Sequence, residues 1–127
     1  MRKLMIATAI MMSGLAPKAM AAKIECSTGG NRPIKVYMVV DTISRTLKSL
    51  VVYSTDSKGE QKMLDTGKLA GFWMEKGNLK LRCIDDDHGL DSLTLDIQDG
   101  KGIVYAPESG RGRTAVECRQ DGGTTSW

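Results

Sequence analysis

The run Asp85-Asp86-Asp87-His88 is the densest group of chemically active side chains, and it holds the chain's one histidine. Three carboxylates in a row supply the oxygen ligands that calcium prefers. In a calcium-binding loop, however, the acidic residues alternate with others so that they can point at one ion. Asp and Gly, here Gly89, also favour tight turns because of their backbone tolerance. We therefore predict a solvated turn, with a calcium site or a small hydrolase built on these four residues as the alternative.

Two arginines and two glycines make a second candidate in the loop Ser109-Gly110-Arg111-Gly112-Arg113. Glycine amides and guanidinium groups can converge on a phosphate or a carboxylate. No strand-to-helix transition flanks the loop, so a flexible connector is the favoured interpretation. Arg111 and Arg113 are kept as candidate binding residues, and no catalytic residue is assigned, because no nucleophile motif such as G-x-S-x-G is present.

The pair Phe72-Trp73 is the third candidate. Adjacent residues on a strand face opposite ways, so one aromatic ring should enter the core while the other meets solvent or a partner. Phe72, Trp73 and the nearby Lys76 are therefore predicted to take part in binding, together with Arg111 and Arg113.

Three cysteines, Cys26, Cys83 and Cys118, each follow an apolar residue by two positions. On a strand this spacing places both side chains on one face, so all three thiols should point inward. A zinc site is not expected, because there is no C-x-x-C pair. We predict a disulfide between Cys26 and Cys118, with Cys83–Cys118 as the alternative, and no cofactor.

The first 21 residues have the pattern of a secretory signal peptide. A charged start is followed by the apolar stretch from Leu4 to Leu15 and by Ala19-Met20-Ala21, a typical cleavage site. The stretch is shorter than the roughly 20 residues that a membrane-spanning helix needs, and no second candidate follows. Residues 22–127 are therefore predicted to form one exported domain, periplasmic or secreted, without a transmembrane segment.

Period-two alternation dominates the rest of the chain and predicts an all-β fold. About eight short strands with frequent turns favour an antiparallel meander that closes, or nearly closes, into a barrel, with a β-sandwich as the alternative. Closure would make the first and last strands neighbours, which brings Cys26 close to Cys118. Residues 120–127 are polar and glycine-rich, so we expect a loose tail. The predicted strands cover residues 34–41, 46–54, 61–65, 69–75, 79–84, 92–97, 103–106 and 114–119, with a further strand around Cys26.

Charge is balanced in the predicted mature chain but unevenly distributed along it. Residues 22–84 carry 11 basic and 6 acidic side chains, whereas residues 85–127 carry 4 basic and 9 acidic. The net charge of +3 therefore belongs to the leader. A neutral domain lacks the positive charge that phosphate-backbone binding usually requires, so nucleic acid is not an expected partner.

Four features follow one another along the chain: a leader, Cys26 to Gly29, Phe72-Trp73 followed by Lys76-Gly77, and the late Cys118. In these short pieces the chain resembles the bacterial inhibitors of c-type lysozyme. The resemblance implies a small envelope β-barrel that inserts loop residues into an enzyme cleft. The Ser-Gly-x-x-Tyr element expected before the aromatic pair is missing, one extra residue separates Trp73 from Lys76, and the C-terminal half is longer. No residue role is carried over.

The expected function is that of an exported, non-catalytic binding or inhibitor-like module that acts in the cell envelope or outside the cell on a protein or an envelope ligand. Two alternatives remain. One is a small envelope hydrolase or calcium-binding protein that uses the turn from Asp85 to His88. The other is a lipocalin-like carrier, which would need an open lumen inside the barrel.

Overall fold

Nine β-strands form the regular structure of residues 21–120, the part of the chain that the computed structural model describes. Eight of these strands begin and end within a few residues of the predicted segments, and the first is the strand expected around Cys26. A short 3₁₀ turn, Pro107–Ser109, is the one helical element in this range. The strands are β1 (Ala21–Ser27), β2 (Ile34–Asp41), β3 (Thr46–Thr55), β4 (Gln61–Met63), β5 (Lys68–Glu75), β6 (Asn78–Ile84), β7 (Asp91–Gln98), β8 (Lys101–Tyr105) and β9 (Thr114–Gln120).

The nine strands belong to one antiparallel sheet in the order β4-β3-β2-β1-β9-β8-β7-β6-β5. Neighbours in sequence are neighbours in space throughout, except that β4 and β5 lie at opposite edges, and the first strand pairs with the last. The predicted all-β meander is confirmed. The strands form one strongly curled half-barrel sheet, not the two sheets of the β-sandwich alternative.

The two edges of the curled sheet approach each other along a seam between β3 and β5. Leu47 and Leu50 from β3 and Phe72 from β5 are half-buried and pack against the core. The guanidinium of Arg45 donates a hydrogen bond of 3.1 Å to the carbonyl oxygen of Met74, which ties the β2–β3 turn to β5. In the half-barrel, β3 and β5 therefore approach each other without pairing as a backbone ladder.

The core lies inside the curl, because every second residue of most strands points inward. In β1 and β2 the alternation is strict, with buried Ile24, Cys26, Val36 and Met38 separated by exposed or half-buried residues. The first half of β5, Lys68 to Gly71, is exposed on both faces because it lies at the sheet edge. The largest fully buried side chains are Ile24, Ile34, Met38, Leu79, Leu93, Leu95 and Ile97.

A disulfide joins Cys26 to Cys118, which confirms the favoured pairing. The two cysteines are directly opposite each other where β1 pairs with β9, and they lie 92 positions apart in the chain. Cys83 is a free, buried thiol, so all three sulfurs point inward as predicted. Burial raises the pKa of the Cys83 thiol because the charged thiolate loses its hydration.

The β7–β8 hairpin shows how local sequence sets the register. Gln98 pairs with Lys101, which leaves Asp99 and Gly100 as a two-residue turn. Both turn residues have positive φ, 58° and 81°, which a type I′ hairpin turn requires. The amide of Asp99 also donates a hydrogen bond of 2.9 Å to the side-chain oxygen of Asn78. This bond joins the turn to the neighbouring β5–β6 hairpin.

The antiparallel order places the connections of the chain at two ends of the half-barrel. The loop end carries the longer connections, residues 28–33, 56–60, 64–67, 85–90 and 106–113. The turn end carries residues 42–45, 76–77 and 99–100, together with the start of β1 and the end of β9. β1 begins at Ala21, the last residue of the predicted leader, and β9 ends at Gln120, the first residue of the predicted tail. The remainder of the leader and of the tail lie outside the described residues.

Substituting Gly102 with alanine should destabilise the fold. An added Cβ would overlap the carbonyl oxygen of Asp96 on the neighbouring strand and lie 2.9 Å from Cα of Ile97. We expect a loss of about 3 kcal/mol in the free energy of unfolding, measured by urea denaturation. Gly71→Ala is the matched strand control, because nothing lies within 4 Å of its added Cβ. Equal losses in the two variants would contradict the prediction.

Removing the disulfide should also cost stability. The bond closes a loop of 92 residues, so the double variant Cys26→Ala, Cys118→Ala should lose about 2 to 5 kcal/mol in urea denaturation. Cys83→Ala, which keeps the disulfide, should lose less, since it deletes one buried sulfur. A double variant as stable as the parent chain would show that the bond does not support the fold.

Candidate functional site

The structure presents Trp73 on the outer face of edge strand β5, with 45% of its surface exposed. Its cross-strand partner is the exposed Lys80 on β6. Phe72 points to the opposite face, where it is half-buried against the core. One ring packs inward and the other meets solvent, as the strand pattern predicts. Lys76 lies in the β5–β6 turn, at the turn end.

Arg111 and Arg113 lie at the loop end, so the five predicted binding residues do not form one site. The Arg111 guanidinium donates to the carbonyl oxygen of Thr55 at 3.1 Å. The Arg113 guanidinium stacks over the ring of Tyr105, with its carbon 5.4 Å from the ring centroid. Each arginine has its own partner, and the two do not form an anion-binding cup with each other.

The loop from Asp85 to Leu90 is folded around the first aspartate. Asp85 Oδ1 accepts the backbone N–H of Asp87 at 2.7 Å, and the Asp85 backbone exchanges hydrogen bonds with Gly89 and Leu90. His88 Nδ1 lies 3.2 Å from Asp85 Oδ2. The predicted turn is therefore present. Its internal bonds hold Asp86, Asp87, His88 and Leu90 in exposed positions, and Leu90 is 68% exposed.

The carboxyl group of Asp85 differs from that of an ordinary surface aspartate. Its pKa is lowered, first because the Asp87 amide donates to the carboxylate and then because the His88 side chain does. Each donor stabilises the charged form of the carboxylate. Asp85 therefore stays ionised to a lower pH than an aspartate without these donors.

A surface cavity of about 620 Å³ lies beside this loop, and carboxylates dominate its lining. Six acidic residues contribute to it, whereas none of the lining residues is lysine or arginine. Leu90, Tyr105 and Pro107 add apolar walls. We call this feature the acidic cavity. Its acidic residues are Asp65, Asp85, Asp86, Asp87, Asp91 and Glu108.

Sequence reasoning missed half of these acidic residues, two of which come from other connections than the turn from Asp85 to His88. Asp65 precedes β5, Asp91 begins β7 and Glu108 lies in the 3₁₀ turn. Only the strand order brings these connections to the same end of the sheet. A signal was present in the acidic bias of residues 85–127, although that bias does not locate the cluster.

Hydrogen bonds between loops hold the walls of the acidic cavity together. Glu108 Oε1 accepts the backbone N–H of Asp65 at 3.2 Å. Ser92 Oγ donates to the carbonyl oxygen of Thr66 at 2.5 Å. Asp91 is paired with Arg82 at 2.7 Å, so its charge is partly compensated, while the other carboxylates of the cavity form no such ion pair with Lys or Arg within residues 21–120. The cavity therefore combines a fixed shape with a local excess of negative charge.

From the sequence, a metal site on the turn from Asp85 to His88 is the alternative to a solvated turn. Within the described range, no group of three or more His, Cys, Asp or Glu side chains converges closely enough to hold a metal ion. The reason is visible in the turn itself, where Asp85 is occupied by backbone amides and Asp86 and Asp87 follow it directly in the chain.

No family model, no curated protein and no solved structure matches the chain. A functional proposal must therefore be based on the fold and the acidic cavity. The resemblance to the lysozyme inhibitors therefore rests only on the residues named above. Within residues 21–120, no helix has the length and apolar character needed to span a membrane.

The lowered pKa of Asp85 leads to a prediction about pH. In a ¹³C NMR titration, the Asp85 carboxyl should titrate below 3.8, the usual value, and the Asp87 amide proton should shift with the same midpoint. A lowered pKa stabilises the folded loop above the unfolded value, and this contribution is lost as pH falls through the folded pKa. His88→Ala should raise the midpoint, because it removes one donor. A midpoint at or above 3.8 would contradict the hydrogen-bonded geometry.

Proposed function

We propose that this protein is an exported, non-catalytic binding module that binds a basic segment of a partner protein in the acidic cavity. The observation that carries the proposal is the clustering of six acidic residues around one cavity of about 620 Å³, without a lysine or arginine in its lining. A surface with this excess of negative charge attracts cationic groups and disfavours anionic ones.

Two features support export. The pattern of residues 1–21 is that of a signal peptide, and the Cys26–Cys118 disulfide needs an oxidising compartment in which to persist. The periplasm or the extracellular medium meets this condition.

The exposed Leu90 supports protein binding over binding of a small cation. An apolar side chain that is 68% exposed on a hydrogen-bonded loop can be buried by a partner at little entropic cost. Its position in the cavity lining gives an apolar group surrounded by charged ones, and protein interfaces commonly combine an apolar centre with a polar rim.

The interior of the half-barrel does not favour the lipocalin-like alternative. Twelve large side chains with less than 2% exposure fill the inside of the curl, and they come from both halves of the chain. A small barrel can either fill its interior with side chains or hold one small ligand, and these buried side chains favour a packed core, which leaves the loops and the outer surface for ligands.

A c-type lysozyme is the first probe, because of the scattered resemblance described above. The protein should bind it and slow its hydrolysis of cell walls, with an affinity that falls as ionic strength rises. Asp86→Lys and Leu90→Ala should each weaken binding about tenfold by calorimetry. Glu60→Lys is the matched control, since it makes the same change in charge at the loop end outside the cavity.

Three outcomes would argue against this proposal. If neither lysozyme nor a lysine-rich peptide binds, the acidic cavity is not a site for basic segments. If Glu60→Lys weakens binding as much as Asp86→Lys, overall charge is responsible, not the cavity. If Trp73→Ala abolishes binding while Leu90→Ala does not, the partner uses the exposed face of β5, as the sequence alone predicts.

A further inference from the structure

A second surface of different chemistry lies on the outer face of β1, β2 and β3. Cross-strand pairing brings Tyr37 of β2 directly opposite Val51 of β3, and Val39 opposite Ser49. These four side chains share the face that points away from the core, where a meander sheet usually presents polar residues. The two valines are half-buried and Tyr37 is 37% exposed.

The apolar side chains line a trough of about 580 Å³, which we call the outer trough. Its volume falls within the range of about 300 to 1,000 Å³ typical of small-molecule sites. A β-bulge in β3 contributes to its shape, since the register with β2 shifts between Val39 and Val40. Bulges bend a strand and are common beside binding sites. The ring of Tyr53 packs edge-on against Tyr37, 6.0 Å between centroids, and supports that wall.

Basic side chains lie at one end of the outer trough. Lys23 is the cross-strand partner of Val39, and Arg119 lies on the adjacent strand β9, diagonal to Lys23 on the same face. Both are exposed, and Glu25, directly opposite Arg119, is the one acidic residue in the lining.

We propose that the outer trough binds a single-chain anionic amphiphile, with its apolar chain over Val39 and Val51 and its carboxylate beside Lys23 and Arg119. The apolar lining favours a hydrocarbon chain, whose transfer from water is favourable by about 0.8 kcal/mol for each buried CH₂ group. The excess of basic side chains selects an anionic head group by charge complementarity. This site is independent of the acidic cavity, which lies at the loop end.

Dodecanoate, below its micelle concentration, is the probe for the first experiment. Titrated into the ¹⁵N-labelled protein, it should shift the amide resonances of Tyr37, Val39 and Val51 in a saturable manner. Dodecyltrimethylammonium, which has the same chain and a cationic head, should bind at least fivefold more weakly. No saturable shift up to about 1 mM dodecanoate, or equal affinity for the two amphiphiles, would overturn the proposal.

Variants separate the roles of chain and head group. Lys23→Glu combined with Arg119→Glu should weaken dodecanoate binding about tenfold, and Ser49→Phe should abolish it by filling the trough. Lys58→Glu combined with Arg32→Glu is the matched control, since it makes the same change in charge on exposed connections at the loop end. Equal weakening by the control would show that overall charge is responsible and would overturn the site assignment.

Vesicles distinguish a free amphiphile from a lipid surface. Phosphatidylglycerol vesicles present the same combination of apolar chains and anionic groups. Co-sedimentation with these vesicles, without any response to dodecanoate monomers, would assign the outer trough to a membrane surface and overturn the proposal. Binding of the monomer with little co-sedimentation would support it.

Discussion

The pairing of the first strand with the last is the constraint on which the rest of the structure depends. β1 and β9 are the only neighbours in the sheet that are distant in sequence, and the Cys26–Cys118 disulfide joins them covalently. Every other strand pair is a local hairpin, which forms at a small cost in loop-closure entropy. This single long-range pairing turns two separate meanders into one curled sheet with a common core.

The same pairing determines where the sheet remains open. Because β1 and β9 lie at the centre of the strand order, the edges fall in the middle of the chain, at β4 and β5. The seam lies between β3 and β5, where the hydrogen bond from Arg45 to Met74 bridges it and where Leu47, Leu50 and Phe72 of these strands pack against the core. Edge strands invite pairing with other chains, and covering the gap with side chains is one way to limit that risk. Trp73 lies on the outer face of β5, the edge strand that borders this seam.

Local patterns in the sequence were sufficient for most of the fold. Alternation predicted the strands, and the expectation of closure predicted the Cys26–Cys118 bond. The Asp99-Gly100 pair has the residue types that favour the two-residue hairpin turn observed there. The candidate sites were harder to predict from the sequence, because they depend on which connections lie at the same end of the half-barrel. Asp65 and Glu108 are 43 positions apart and meet only in the folded chain, so no motif marks them. The outer trough could not be predicted from the sequence for a similar reason. Its valines are typical strand residues, and only the register of β2 with β3 shows that they share the outer face.

Both proposed sites lie outside the core, and the physics of a small half-barrel accounts for this. A domain of this size stabilises itself by filling its interior, so the side chains that point inward have no freedom to recognise a ligand. Ligands are therefore recognised by the connections and the outer face, where acidic and basic side chains can occupy different regions of the surface. The acidic cavity gathers carboxylates from three separate connections at the loop end, and the outer trough combines apolar and basic residues of β1, β2, β3 and β9 on the outer face of the sheet. Such separation allows one rigid scaffold to attract two ligands of opposite charge without either site disturbing the other.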